Sequence, residues 1–213
     1  MGSILIPSQK KYLESFLHED DPLIIEMEKY ANEHNIPILL RDSAELLEQL
    51  ICLVKPKRVL EIGTAIAYSS IRIARNLKKK GIVHTIEKSK DNIVLAKENI
   101  AKSGLEGKIN LIEGNALEEL PRLDKKFDFI FLDADKTDYK RLFDYSLILL
   151  KKGGIIFVDN LLWHGLAASS RIPKVKKNSV KIIREFNAAF TSQPNLKTTI
   201  LPVGDGIGIG IKI

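Results

Sequence analysis

The chain has 213 residues, a length that suits one domain or at most two small ones. Hydrophobic content of 45%, charged content of 28%, 8 prolines and 13 glycines exclude a disordered or collagen-like chain, and the single Cys52 excludes an intramolecular disulfide. The net charge of +6 is unevenly placed: residues 1–50 carry 4 basic and 10 acidic side chains, and residues 51–213 carry 29 and 17. A basic body behind an acidic N-terminal segment suits a polyanionic partner, although solvated lysines alone would leave the same pattern. No apolar run approaches the roughly 18 residues that span a bilayer, and no basic start leads into an apolar core and cleavage site, so the expectation is a soluble cytoplasmic protein. Met1-Gly2-Ser3 resembles a lipidation start, but Ile6 stands where that signal wants Ser or Thr.

From Gln9 to about His34, Tyr12, Leu13, Phe16 and Leu17, then Leu23, Ile24, Met27, Tyr30 and Ala31, recur at three- and four-residue spacing. This predicts two amphipathic helices divided near Asp21-Pro22. Ile36-Pro37-Ile38-Leu39 is apolar but short and proline-broken, and Asp42-Ser43 before Ala44-Glu45-Leu46-Leu47 reads as the start of a third helix. After Lys55-Pro56-Lys57 come five short apolar runs, at 58–62, 82–86, 109–112, 127–132 and 155–158, which read as strands. Helix-length segments lie between them, roughly 67–80, 91–103, 116–121 and 138–150. Such alternation predicts an α/β fold with a parallel sheet covered on both faces. The tail, 198–203 and 207–211 around Gly204-Asp205-Gly206, reads as a hairpin. The whole of 1–213 is expected to be one domain, a helical cap over 1–50 and an α/β body over 51–213.

Ligands of an open parallel sheet bind outside the carboxyl ends of its strands. The first strand runs into Glu61-Ile62-Gly63-Thr64-Ala65-Ile66-Ala67-Tyr68-Ser69. Gly63 is expected to let backbone approach a ligand, and Ser69 to sit where a helix begins, with free amides for an anionic group. The second strand ends in Glu87, whose carboxylate could accept both hydroxyl hydrogens of a ribose. A nicotinamide dinucleotide would want three glycines spaced G-x-G-x-x-G, but Ala65 and Tyr68 fill the second and third places. One glycine suits a nucleoside without phosphates, of which S-adenosylmethionine is the common one. The fourth strand ends at Asp133 and the fifth at Asp159-Asn160, and adjacent strand ends lie close. Burying two carboxylates together costs several kcal/mol unless a cation sits between them. All-oxygen donors favour Mg²⁺ over zinc, and the four histidines show no zinc-like spacing. For any one of these aspartates, a helix N-cap is the plainer reading.

Taken together, Glu61-Ile62-Gly63-Thr64, Ile86-Glu87, Phe131-Leu132-Asp133-Ala134-Asp135-Lys136 and Asp159-Asn160-Leu161-Leu162 resemble the successive motifs of the metal-dependent O-methyltransferases of the catechol and caffeoyl-CoA type. The resemblance runs from about residue 30 to the end. It implies a Rossmann-like class I methyltransferase fold, with a mostly parallel seven-stranded sheet, an antiparallel C-terminal hairpin and N-terminal helices. It further implies that Leu39 and its neighbours close over S-adenosylmethionine, that Glu61, Gly63 and Ser69 line its methionine part, that Glu87 holds the ribose and that Asn115-Ala116 meet the adenine edge. Asp133 would bind Mg²⁺ beside the cofactor amine, Asp159 and Asn160 would complete the metal site, and Lys136 would be the general base. Two positions depart from the family pattern: Ala67 where glycine is usual, and Asn115 where aspartate is usual.

Glu33-His34-Asn35-Ile36-Pro37-Ile38, the turn 63–69 and Pro202-Val203-Gly204-Asp205-Gly206 resemble most the bacterial branch that methylates 5-hydroxyuridine at the tRNA wobble position. A 5-hydroxyuracil offers the same vicinal oxygen pair as a catechol, so the metal site alone does not choose between them. Charge does lean: Arg171, Lys174, Lys176, Lys177 and Lys181 fall in eleven residues without an acid, after the metal-ligand strand. Phosphate contacts there and a splayed base stacked on Trp163 would suit an anticodon loop. The expectation is therefore tRNA 5-hydroxyuridine O-methylation by a homodimer, the dimer being implied by the family. The alternative is a small-molecule catechol or caffeoyl-CoA-type O-methyltransferase, and the non-enzymatic one a silent RNA-binding protein on the same fold.

Overall fold

The structure is a computed structural model in which residues 6–213 are described; the Met1-Gly2-Ser3 start lies outside them. The N-terminal part contains α1 (Pro7–Glu14), α2 (Pro22–His34) and α3 (Arg41–Val54). The division at Asp21-Pro22 has a local cause. Asp21 Oδ1 accepts the N–H groups of Leu23 at 2.9 Å and Ile24 at 3.1 Å, and Pro22 takes the first helical position, where no N–H is missed. α3 begins at Arg41, ahead of the expected Asp42-Ser43 start, and Leu40 offers it no side-chain cap. The carboxylate of Asp42 is used elsewhere, accepting the Gly204 N–H at 3.0 Å and tying α3 to the C-terminal turn.

The body runs β1 (Arg58–Ile62), α4 (Tyr68–Asn76), β2 (Ile82–Glu87), α5 (Lys90–Ser103), β3 (Ile109–Glu113), α6 (Ala116–Glu119), β4 (Phe127–Leu132), α7 (Tyr139–Leu149), β5 (Leu150–Val158), α8 (Lys177–Thr191), β6 (Leu196–Leu201) and β7 (Ile207–Lys212). The seven strands form one sheet in the order β3-β2-β1-β4-β5-β7-β6, parallel from β3 to β5 and antiparallel where β7 meets β5 and β6. This is the expected sheet with its C-terminal hairpin. β5 starts at Leu150 instead of 155, because Leu150 pairs with Phe127 across an irregularity in register and Lys151 ion-pairs with Asp128. The helix expected over 138–150 accordingly stops at Leu149.

Side-chain alternation divides the core into two layers. Val59, Val83, Phe129, Phe131 and Phe157 pack with Ile24 and Met27 of α2, Leu47 and Ile51 of α3, Ile71 of α4 and Ala96 of α5. Leu60, Ile62, Ile130, Leu132, Ile156 and Val158 point the other way, onto Tyr139, Leu142 and Phe143 of α7 and Ile183, Phe186 and Phe190 of α8. An ionic knot fastens the cap to the body. Arg72 of α4, with a side chain only 4% exposed, pairs with Glu19, Glu45 and Glu48, while Glu28 accepts from Tyr68 OH at 2.7 Å and pairs with Arg41. α1 has no buried residue, and Tyr12, Leu13 and Phe16 stay exposed. Among the described residues no helix is long and apolar enough to cross a membrane.

Candidate active site

Strand order reverses between β1 and β4, so the crossovers leave in opposite directions and a crevice opens at the carboxyl ends. A cavity of about 520 Å³ occupies it, walled among others by Gly63, Glu87, Asn115, Ala116, Asp133, Lys136, Asp159, Asn160, Trp163 and His164. The ladder continues one residue past each strand end. Asp133 N–H donates to Ile62 O at 3.0 Å and Asp159 N–H to Leu132 O at 3.2 Å, which sets the two carboxylates on neighbouring strand tips.

On the β1–β2 side, Glu87 Oε2 accepts the Ala65 N–H at 2.8 Å and Oε1 accepts those of Lys88 and Ser89 at 2.9 and 2.8 Å. Three backbone donors thus fix a carboxylate on the cavity wall. Asn115 and Ala116 line the same end, and Asn115 Oδ1 caps α6 through the Leu117 N–H at 3.0 Å. The glycine at 63, which lines the cavity, is also required by the fold itself. Its φ is +102°, and a Cβ would lie 1.8 Å from the Asp133 carbonyl oxygen. Ala67 stands in the left-handed region at φ 68° as the N-cap of α4, which accounts for the glycine usual there.

Leu39, Glu61 and Ser69 are not among the cavity-lining residues, although Pro37 and Ile38, neighbours of Leu39, are. Glu61 is fully buried and receives hydrogen bonds from the hydroxyls of Ser69, Ser70 and Thr85, the last at 2.6 Å. Burial outweighs those bonds and pushes its carboxyl up to about 7, with Asp133 adding to the rise. The residue organises the turn from behind.

Lys136 opens a short 3₁₀ turn capped by Asp135, which accepts the Thr137 N–H at 3.2 Å. Its ammonium is nearly buried. Nζ donates to Asn160 Oδ1 at 2.6 Å and Ala134 O at 3.2 Å, approaches Asp133 Oδ1 at 3.4 Å, and also contacts Tyr139 OH. Asp159 is 4% exposed, and burial followed by the charge of Asp133 holds its carboxyl well above the usual range. Tyr139 is pushed up by burial and by the same two aspartates. Asp133, Asp159 and the amide oxygen of Asn160 line the cavity at neighbouring strand ends as oxygen donors only, Asp159 buried and Asp133 30% exposed, and two carboxylates on adjacent strand tips want more positive charge than one lysine supplies. The set fits a hard divalent cation. With only two carboxylates it is not a cluster of three or more His, Cys, Asp or Glu side chains, and the described residues contain no such cluster.

Beyond Asn160 the loop is strained: Asn160, Trp163 and His164 all have positive φ, at 63°, 47° and 56°. The Trp163 ring lies under the ammonium groups of Lys136 and Lys176, at 5.6 and 6.0 Å from its centroid. Asp205, from the β6–β7 turn, accepts the His164 N–H and is 7% exposed. Sequence reasoning assigned His164 and Asp205 no role. The basic residues lie at the surface: Arg171, Lys177 and Lys181 border a second concavity with Arg184, and Lys181 pairs with Glu185 at 3.8 Å.

Comparison with known proteins agrees with this geometry. The O-methyltransferase family profile matches residues 15–213. The chain is 36% identical over 174 residues to a caffeoyl-CoA O-methyltransferase of Populus kitakamiensis, covering 78% of this chain and 74% of that one. Among solved structures, it is similar to a Staphylococcus aureus protein provisionally described as a caffeoyl-CoA O-methyltransferase, with a TM-score of 0.89, 34% identity and coverage of 97% and 99%. It is also similar to the O-methyltransferase TomG of Streptomyces achromogenes, involved in tomaymycin synthesis and solved with S-adenosylmethionine, with a TM-score of 0.83, 28% identity and 96% of each chain covered.

Proposed function

The chain belongs to the O-methyltransferase family, and from that premise we propose that it moves the methyl group of S-adenosylmethionine to one hydroxyl of a vicinal oxygen pair on a small aromatic acceptor of the catechol or caffeoyl type. The observation that carries this reading is the meeting of Asp133, Asp159, Asn160 and Lys136 on one wall of the cavity whose other end holds Glu87 and Asn115. A bound divalent ion would chelate both acceptor oxygens and favour the ionised hydroxyl. Asp133, Asp159 and Asn160 would hold that ion. Glu87, held by three N–H groups, keeps acceptor directions free for ribose hydroxyls. Lys136 Nζ is the group placed to take up the hydroxyl proton, and Tyr139 OH, which donates to the Asp159 carbonyl at 3.2 Å, steadies it. The caffeoyl-CoA relatives and TomG support a small-molecule acceptor over the tRNA expected from charge.

The tRNA reading stays as a second proposal on one observation. Arg171, Lys174, Lys176 and Lys177 have no carboxylate partner among the described residues, and Lys176 borders Trp163 at the cavity. A phosphate-bearing acceptor, nucleic acid or thioester of coenzyme A, would use them. We also propose a homodimer through Tyr12 and Leu13 of α1 and Phe16 just after it, for which light scattering of Phe16→Glu against wild type is the check: equal masses would discard that contact.

The deciding experiment incubates the protein with S-adenosylmethionine and Mg²⁺ and, separately, catechol, phenol, caffeoyl-CoA and hydroxyuridine-containing tRNA, and identifies products by mass spectrometry. Methylation of catechol and caffeoyl-CoA but not phenol is expected. Methylation of tRNA alone would replace the first reading by the second, and methylation of phenol as fast as catechol would overturn both.

A further inference from the structure

Left-handed backbone costs an L-residue about 1–2 kcal/mol, and such strain persists only where its surroundings impose it. The loop from Asn160 to His164 contains three such residues, and the β6–β7 turn imposes them. Leu161 N–H donates to Gly206 O at 2.9 Å, Leu162 N–H to Asp205 O at 2.9 Å, and His164 N–H to Asp205 Oδ1. The outcome is an imidazole set on the cavity wall with its back to a buried carboxylate. Asp205 Oδ2 is buried without a hydrogen bond, and His164 Nδ1 lies 3.4 Å from it, off the hydrogen-bond angle. A small turn of the ring would complete the bond. The His164 side chain is 38% exposed, and its Nε2 has no partner among the described residues. Next to it, Trp163 Nε1 is likewise buried and unpartnered. The buried, unpartnered Trp163 Nε1 and the solvent-reachable Nε2 of His164 belong to two adjacent strained residues that line the cavity, and so offer polar atoms to a ligand there.

We propose that His164, positioned by Asp205, reads the substrate: with its Nδ1–H turned to Asp205, Nε2 is left as an acceptor for a hydrogen-bond donor on the ring atom next to the vicinal oxygen pair. This rests on the vicinal-oxygen reading above and narrows it to rings that carry two oxygens and a donor in a row. A third hydroxyl, as in pyrogallol, meets the requirement. So does the N3–H of 5-hydroxyuracil, which adjoins the carbonyl of its oxygen pair.

The chain has one tryptophan, and the Trp163 and His164 rings lie 5.4 Å apart, so intrinsic fluorescence reports binding at this wall without turnover. The full chain with Mg²⁺ and S-adenosylhomocysteine is titrated with phenol, catechol, pyrogallol and 5-hydroxyuridine, as wild type, His164→Phe, His164→Gln and Asp205→Asn. One added hydrogen bond predicts pyrogallol about tenfold tighter than catechol in wild type. The ratio is expected to fall to near one in His164→Phe, to be partly kept in His164→Gln, whose amide oxygen still accepts, and to narrow in Asp205→Asn, which a merely structural Asp205 would not do. Preference for pyrogallol alone, or for 5-hydroxyuridine as well, tells which donor the wall accepts. A wild-type ratio near one, or an unchanged ratio in His164→Phe, overturns the inference while catechol is still methylated. Catechol that binds no better than phenol overturns the vicinal-oxygen reading, and this inference with it.

Discussion

Replacing Glu61 by Gln isolates one buried titration. The side chain has no exposed surface and is met by three hydroxyls, yet its carboxyl is pushed up to about 7 from 4.5 because burial outweighs the hydrogen bonds. Between those values the folded protein keeps a proton that the unfolded chain has released. The stability from this group is therefore present in full below the unfolded value and is lost as pH rises through the folded one. The gap between 4.5 and about 7 corresponds to roughly 3 kcal/mol. In Glu61→Gln the titration is gone, and the hydroxyls of Ser69, Ser70 and Thr85, which donate or accept, can turn to serve the amide. Urea unfolding of the cofactor-free proteins at about pH 5 and about pH 8 should show wild type losing about 2–3 kcal/mol more than the variant, the rest of the effect lying below pH 5. Equal losses would refute the placement of a proton on Glu61.

Arg72→Met would leave Glu19, Glu45 and Glu48 without their shared partner, and burial already pushes the Glu48 carboxyl up; urea unfolding should show a loss of about 3 kcal/mol, and a loss below about 1 would mean that the knot is only a surface pairing. Gly63→Ala meets the Asp133 carbonyl oxygen at 1.8 Å in a backbone that disfavours side chains, whereas Gly107→Ala meets nothing within 4 Å; thermal melts should place the first more than about 3 kcal/mol below the second, and similar melts would contradict the close approach. Phe186 lies with ring centroids 5.2, 5.5 and 6.1 Å from Tyr139, Phe143 and Phe190, so Phe186→Ala should cost about 3–5 kcal/mol by denaturant titration. Converting Lys176 and Lys177 to Gln should lower kcat/KM and flatten its salt dependence for a phosphate-bearing acceptor while leaving catechol turnover unchanged; equal effects on both acceptors would remove the segment from phosphate recognition.

The central strands were legible because parallel strands covered on both faces are short continuous apolar runs, as Phe127–Leu132 shows. Asp133 and Asp159 were legible for a related reason: a polar residue directly after such a run falls at the sheet's carboxyl edge, and adjacent strands bring adjacent edges together. Contacts between residues distant in sequence were not. Nothing near Arg72 announces Glu19, Glu45 and Glu48, which reach it from the α1–α2 connection and α3. Glu61 was assigned to the cofactor by the family resemblance; in the structure its side chain turns inward to Ser69, Ser70 and Thr85, a direction that strand-end polarity does not reveal. The early start of β5 was hidden by Lys151-Lys152-Gly153-Gly154, a turn-like stretch that pairing with β4 overrides. The partnership of Asp205 with His164 spans 41 positions, and its only signal was an aspartate between two glycines in a hairpin turn.

Methyl transfer from S-adenosylmethionine to catechol, followed with Mg²⁺ and with a chelator in wild type and Asp159→Ala, tests most directly whether the carboxylates at the strand ends carry the reaction through a bound cation. The predicted result is a loss of about a hundredfold when the chelator meets wild type, and an Asp159→Ala rate at that lower level under both conditions. Wild-type turnover indifferent to the chelator, with Asp159→Ala as fast as wild type, would contradict it.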